Sequence, residues 1–199
     1  MMGGGTQGQG AWDDAMIATL IRLDRADDAQ AHRWKCFERE VSARHLRAYL
    51  KALPNFDDVE AEEQAIAYIL TYPDVLPALG FFLDWPDLLA ASQVVISPSD
   101  EIDGEDYELI NYAADLLRER YPLAAVLLLR SMIDFAVINR RSARNKYVVN
   151  HLQDCERLDF DIDDYGVFPT HERYREILQN AHNTRWLSTT PPAFLRVWC

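Results

Sequence analysis

Apolar residues recur at three- and four-residue intervals along almost all of this chain, and no stretch alternates apolar and polar residues long enough to build a sheet. That period confines the chain to packing helix on helix. Trp12, Met16, Leu20 and Leu23 mark a first helix, Trp12 to Leu23, behind a Gly-rich leader (residues 1–11) that reads as flexible. Asp24 to Asp28 reads as a polar turn. A second helix, Ala29 to Val41, turns Trp34, Phe37 and Val41 inward. Ser42 is placed to cap a third, Ala43 to Leu53, which Pro54-Asn55 ends. Asp57 and Glu60 have capping-box spacing at the head of a fourth, running to about Thr71. Pro73, Pro77 and Pro86 set off two short helices, Val75 to Leu83 and Asp87 to Val95. Val94-Val95-Ile96 is β-branched but too short to carry a sheet.

The acidic loop Ser97 to Gly104 precedes the two strongest segments, Tyr107 to Arg120 and Leu123 to Arg140. The second is apolar on nearly every side and reads as a central buried helix. Asn145 to Leu158 follows, then His171 to Ala181 with Thr170 as its cap, and residues 183–199 show no sustained period. About ten helices joined by short turns predict an all-α fold. Antiparallel helical hairpins of this length predict stacking as a tetratricopeptide-like α-solenoid, with one helical-repeat domain over 12–182. No fixed repeat signature recurs.

Composition narrows the function. The chain has 199 residues, 49% hydrophobic and 26% charged, which excludes a disordered or fibrous chain. Its formal net charge of -12 repels polyphosphate and anionic membranes, so nucleic acid is an unfavoured partner. Cys36, Cys155 and Cys199 are scattered and include no CxxC, which argues against a disulfide framework or zinc ribbon. The N-terminus lacks a basic and apolar signal pattern, and Leu123 to Ile138 is interrupted by Arg130, Ser131 and Asp134, whereas a bilayer span needs ~20 largely apolar residues. A cytoplasmic protein without a membrane segment is expected.

Two long runs carry a resemblance. One holds Leu46-Arg-Ala-Tyr-Leu-Lys-Ala-Leu-Pro-Asn-Phe-Asp-Asp58; the other holds Tyr121-Pro-Leu-Ala-Ala-Val-Leu-Leu-Leu-Arg-Ser-Met-Ile-Asp-Phe135. Over Ile21 to Ala181 the chain resembles an uncharacterised bacterial family, the domain of unknown function 6880. The resemblance implies helical-repeat architecture, no established activity, and correspondence to the C-terminal part of usually longer members. Members tend to finish with a basic turn and a Phe-Trp pair; here the chain reads His182-Asn-Thr-Arg-Trp-Leu-Ser-Thr-Thr-Pro-Pro192.

Against the acidic background stand Arg130, Arg140, Arg141, Arg144 and Lys146, with Asp134 and Tyr147 beside them. Arginine forks suit carboxylate or phosphate, so this edge is the candidate binding site. The plainer alternative is a basic helix end, with Arg130 paired to Asp134 at i,i+4. Asp161, Asp163, Gly166 and Glu172 match part of a calcium-loop template, but Tyr165 and Pro169 fall where oxygen ligands are needed. Cys155 with His151 at i,i+4 is a possible catalytic pair without an evident orienting group. Phe81-Phe82 with Trp85 and Leu88-Leu89 is denser than one helix face requires. No phosphate-loop, dinucleotide or hydrolase-elbow motif occurs.

A strong hairpin pattern without a catalytic motif points to a non-enzymatic protein–protein interaction scaffold that uses no cofactor or metal. Its expected partner is a protein or acidic peptide. Homo-oligomers could form through the apolar N-terminal hairpin. The alternatives are a nucleic-acid-associated accessory protein binding through the Arg130–Lys146 edge, and an enzyme with an unrecognised site.

Overall fold

The structure is a computed structural model that describes residues 5–54, 56–97, 102–139 and 145–186. Ten α-helices and no strand occur among the described residues, so the chain is all-α. They are α1 (Gly5–Arg22), α2 (Ala26–Glu40), α3 (Ala43–Leu50), α4 (Asp57–Leu70), α5 (Val75–Asp84), α6 (Leu88–Ile96), α7 (Tyr107–Leu117), α8 (Pro122–Ile138), α9 (Asn145–Leu158) and α10 (His171–Trp186). The chain divides into two compact units, Met1–Asp87 and Leu88–Cys199.

In the first unit α2 and α3 pack against each other, with α1 on α2 and both α4 and α5 on α3. Phe37, Leu46, Ile69, Leu79, Phe81 and Phe82 are its fully buried anchors. Phe37 has Trp34 at 5.0 Å and Tyr68 and Phe81 each at 5.9 Å between ring centroids, an arrangement that aromatic quadrupoles favour. Of the dense apolar run, Phe81 and Phe82 are core and Trp85 stacks on Phe81, whereas Leu88 is half-buried and Leu89 is exposed. The Trp85 indole N–H donates to Glu62 and the Arg47 guanidinium lies over its ring.

Several helix ends differ from the expected ones. α1 starts at Gly5, inside the stretch read as a flexible leader. Once Asp13 anchors α1 to α2, each added residue gains a hydrogen bond without a new nucleation cost, and Gln9 reaches Asp13; Trp12 and Leu23 of the expected apolar face stay exposed. The turn before α2 is shorter than expected, so Asp27 and Asp28 fall in the first helical turn, where the dipole favours acid. α4 has no capping box. Phe56 takes the N-cap position at φ 73° without a side-chain cap, and Asp57, Asp58 and Glu60 instead sit in the first turn. At the C-terminus of α2, Val41 adopts φ 48°, an uncommon conformation for a β-branched residue, and its buried side chain compensates.

The second unit is organised around α8, against which α6, α7 and α9 pack. Pro122 opens α8 at a position where its missing N–H leaves no gap. Ala124, Ala125, Val126, Leu128, Leu129, Met132 and Ile133 are buried, as expected for a central helix. Val94-Val95-Ile96 ends α6 and is helical. Asp106 caps α7, and Thr170 caps α10 by accepting from the Arg173 N–H.

Gly104 sets how closely the acidic loop approaches α8. A Cβ there would stand 2.2 Å from the Ser131 carbonyl oxygen and 2.7 Å from the Phe135 Cβ. Helix backbone cannot yield at that distance, so any side chain lifts the loop. We expect Gly104→Ala to destabilise the protein by about 1–3 kcal/mol or more, as overpacking does. Chemical denaturation checks this; a stability within about 0.5 kcal/mol of wild type refutes the close fit.

Candidate functional site

A cavity of about 920 Å³ opens in the second unit beside α8. Leu127, Arg130, Ser131, Asp134, Phe135 and Ile138 of α8 form one wall. Val95 of α6, the Ile102–Gly104 segment, Phe168-Pro169, and Tyr174 and Ile177 of α10 complete it. The lining is mostly apolar with a few convergent polar groups, the usual make-up of a ligand site.

Arg130 is the centre of its chemistry. It is 4% exposed although charged. Its Nη1 donates to the Pro169 carbonyl at 2.7 Å. Its guanidinium lies 4.5 Å from the Tyr174 ring centroid and 5.3 Å from that of Tyr165, so two aromatic faces receive the cation. Nε and Nη2 are buried without an oxygen or nitrogen partner among the described residues, and the buried Cys155 thiol is the side chain that interacts with this guanidinium. Arg130 forms no ion pair among those residues, in contrast to the expected pairing with Asp134. The Asp134 carboxylate instead accepts from the Tyr174 hydroxyl at 2.8 Å. One turn of α8 thus presents a cation and a carboxyl to the same cavity.

Burial pushes the Asp134 carboxyl above its ordinary range, only partly offset by the Tyr174 hydrogen bond and the Arg130 charge. Burial likewise pushes the Tyr174 hydroxyl well up. His171 is held below its usual value by burial and then by the Arg130 charge. On α9, burial pushes the Cys155 thiol up to about 12. That thiol is far from a nucleophile at neutral pH. The His151 ring, lowered by burial, meets the Tyr107 hydroxyl at 3.1 Å, so the Cys155–His151 pair is not an activated couple.

Of the expected site residues, Arg130 and Asp134 share the cavity. Lys146 and Tyr147 do not line it: they lie exposed in the first turn of α9, with the Lys146 ammonium 4.7 Å from the Tyr147 ring and that ring against Tyr107. Lys146 therefore begins a helix, where the dipole disfavours a cation, instead of ending one. Arg140, Arg141 and Arg144 lie outside the described residues. Tyr174, which links the two α8 groups, was not singled out, because a lone Tyr on an amphipathic helix carries no signal for its distant partner.

The acidic loop after α9 is closed by its own bonds. Tyr165 donates to Asp159 at 2.6 Å, and Asp164 accepts from the Gly166 N–H at 2.7 Å, with Gly166 at φ 58°. Its carboxylates do not gather into a ligand set among the described residues. The metal-suited cluster lies in the first unit, at Asp13, His32 and Cys36. His32 and Cys36 stand at i,i+4 on α2, a spacing readable in sequence once Cys is paired with His.

The raised Asp134 value has a signed consequence. The folded state binds the proton more tightly than the unfolded chain, so the wild-type protein loses stability as pH rises from the unfolded carboxyl value, ~4, through the folded one. Asn cannot charge and still accepts from Tyr174. We expect Asp134→Asn to gain melting temperature relative to wild type as pH rises from about 4 to about 7. Parallel melting curves across that range would refute it.

Comparison with curated proteins and with solved structures found no match. The family described as a family of unknown function, DUF6880, matches residues 4–186, and the chain belongs to it.

Proposed function

We propose that the chain is a non-enzymatic interaction scaffold of stacked helical hairpins, tetratricopeptide-like in arrangement, that takes an acidic group of a protein or peptide partner into the Arg130 cavity. The observation that carries this reading is a buried guanidinium at the cavity wall whose Nε and Nη2 nitrogens meet no carboxylate or carbonyl among the described residues, only the neutral Cys155 thiol. Buried charges are ordinarily paired, and a buried donor met only by a thiol carries a desolvation cost that an incoming anion relieves. Carboxylate answers a guanidinium fork with two parallel hydrogen bonds. Phe135, Ile138 and Ile177 line the same cavity and suit an apolar side chain next to that acid.

The position of Arg130 weighs against the polyphosphate alternative. A basic edge for nucleic acid needs exposed cations, and Arg130 is buried. The neighbouring groups supply little for chemistry, since burial holds Cys155, Tyr174 and His171 in their neutral forms. No helix among the described residues is long and apolar enough to cross a membrane.

Selection from a random peptide library tests the reading. Wild type is expected to enrich peptides with Asp, Glu or a free C-terminal carboxylate beside an apolar residue. Arg130→Lys keeps the charge but loses the fork, so its affinity for the selected peptides should fall at least tenfold, about 1.4 kcal/mol. Circular dichroism establishes that the variant is folded. Selection of the same acidic peptides with equal affinity by both proteins would overturn the proposal.

A further inference from the structure

We propose that Asp13, His32 and Cys36 bind a zinc-type divalent cation, through Asp13 Oδ1, His32 Nε2 and Cys36 Sγ, with a fourth position open to water. The site lies wholly within the first unit and stands apart from the peptide-binding reading. Asp13 comes from α1; His32 and Cys36 come from successive turns of α2 and so share one face. One ligand atom from each lies within 4.8 Å of the others. Tetrahedral zinc, with bonds of about 2.0–2.3 Å, needs ligand atoms about 3.3–3.8 Å apart. The closing movement is therefore no more than about 1.5 Å per pair, within reach of side-chain torsions. His32 Nε2 and Asp13 Oδ1 are already 2.9 Å apart.

The surroundings fit such a centre. Asp13 and Cys36 are fully buried, while the His32 side chain is 20% exposed and gives the ion a way in. The second Asp13 oxygen, Oδ2, is held by Arg39 Nη2 at 2.5 Å, leaving Oδ1 for the metal. A fixed outer partner of this kind orients a ligating carboxylate. The Trp12 ring meets the His32 ring edge-on at 5.7 Å and limits its rotation. Glu40 accepts from the same Arg39 nitrogen at 2.8 Å. Charge then balances: the Asp13 carboxylate and the Cys36 thiolate match the dication, and Glu40 matches Arg39. On binding, Cys36 releases its thiol proton to solvent, and His32 gives up the Nε2 proton it shares with Asp13 so that its ring is ligated through Nε2 with a proton on Nδ1. Carboxylate, imidazole and thiolate together suit zinc, and cobalt reports on it.

Full-length protein is dialysed against Zn²⁺ or Co²⁺ and compared with His32→Gln and Cys36→Ala. Wild type is expected to retain one zinc per chain and to melt higher with zinc than with a chelator. Its cobalt form should show intense tetrahedral bands together with a thiolate charge-transfer band. Cys36→Ala should lose the charge-transfer band, and His32→Gln, which tests the site without emptying a buried position, should bind zinc at least tenfold more weakly. Weak octahedral cobalt spectra, or zinc retained equally by wild type and both variants, would overturn the site.

Discussion

The second unit is built around one buried cation. Arg130 sits in the middle of the central helix α8, and its guanidinium reaches the Pro169 carbonyl and the faces of Tyr165 and Tyr174. Those contacts join α8 to the loop after α9 and to α10, elements far apart in sequence. Hydrophobic burial could bring them together in several registers, because it has no direction. The donor to Pro169 and the two cation–ring contacts select one. Tyr174 adds a second tie, donating to the Asp134 carboxylate at 2.8 Å. The cavity beside Arg130 follows from this arrangement: the α8 wall is fixed, and the Gly104 loop is admitted only as closely as the missing side chain allows.

The first unit repeats the principle with the opposite sign. Asp13 is fully buried on α1 and gathers His32 and Arg39 from α2, with Gln9 from its own helix. Burial alone would raise its carboxyl, but the hydrogen bonds from Arg39 and His32 outweigh that and hold it below the usual range. Removing a partner from such a group costs far more than the net worth of the pair. Each unit therefore fastens a helix interface with a buried charge, and in each case that charge is also the feature with ligand-binding chemistry.

The helices were legible because amphipathic period and Pro, Ser and Thr punctuation are local properties of the chain. Tyr107 and Pro122 open their helices where the sequence places them, and α9 runs Asn145–Leu158 as read. What escaped were contacts that no local pattern encodes. Tyr174 reaches a carboxylate forty positions away. Gly104 looks like an ordinary loop glycine until α8 is laid against it. Asp57 and Glu60 carry capping-box spacing, yet the chain enters α4 through Phe56 in a left-handed turn, so the acids favour the helix through its dipole and not as a cap. Arg130 and Asp134 were read as candidate binding residues, with an i,i+4 ion pair as the plainer alternative; that they part, one to Pro169 and the other to Tyr174, depends on α10 and the loop before it, which the α8 sequence does not contain.

On the proposed reading, the burial of Arg130 favours recognition over chemistry at the cavity. Reaction at a side chain needs a group poised between two protonation states near neutral pH. Around Arg130 the low dielectric moves most groups the other way, with Cys155, Tyr165 and Tyr174 pushed up and His171 down so that the uncharged forms are favoured, while Asp134 is raised towards neutral pH. Arg130 itself cannot exchange protons, since arginine stays charged throughout this range. It can offer directed donors in a water-poor setting, where each hydrogen bond to an anion is strengthened. Asp134 then acts as a filter. Charged, it repels an acid approaching Arg130; protonated, it leaves the cation free to receive one, and burial raises the pH at which it takes up that proton. Binding of an acidic group and proton uptake at Asp134 are thereby linked, and affinity for such a ligand should rise as pH falls towards the range where Asp134 gains its proton.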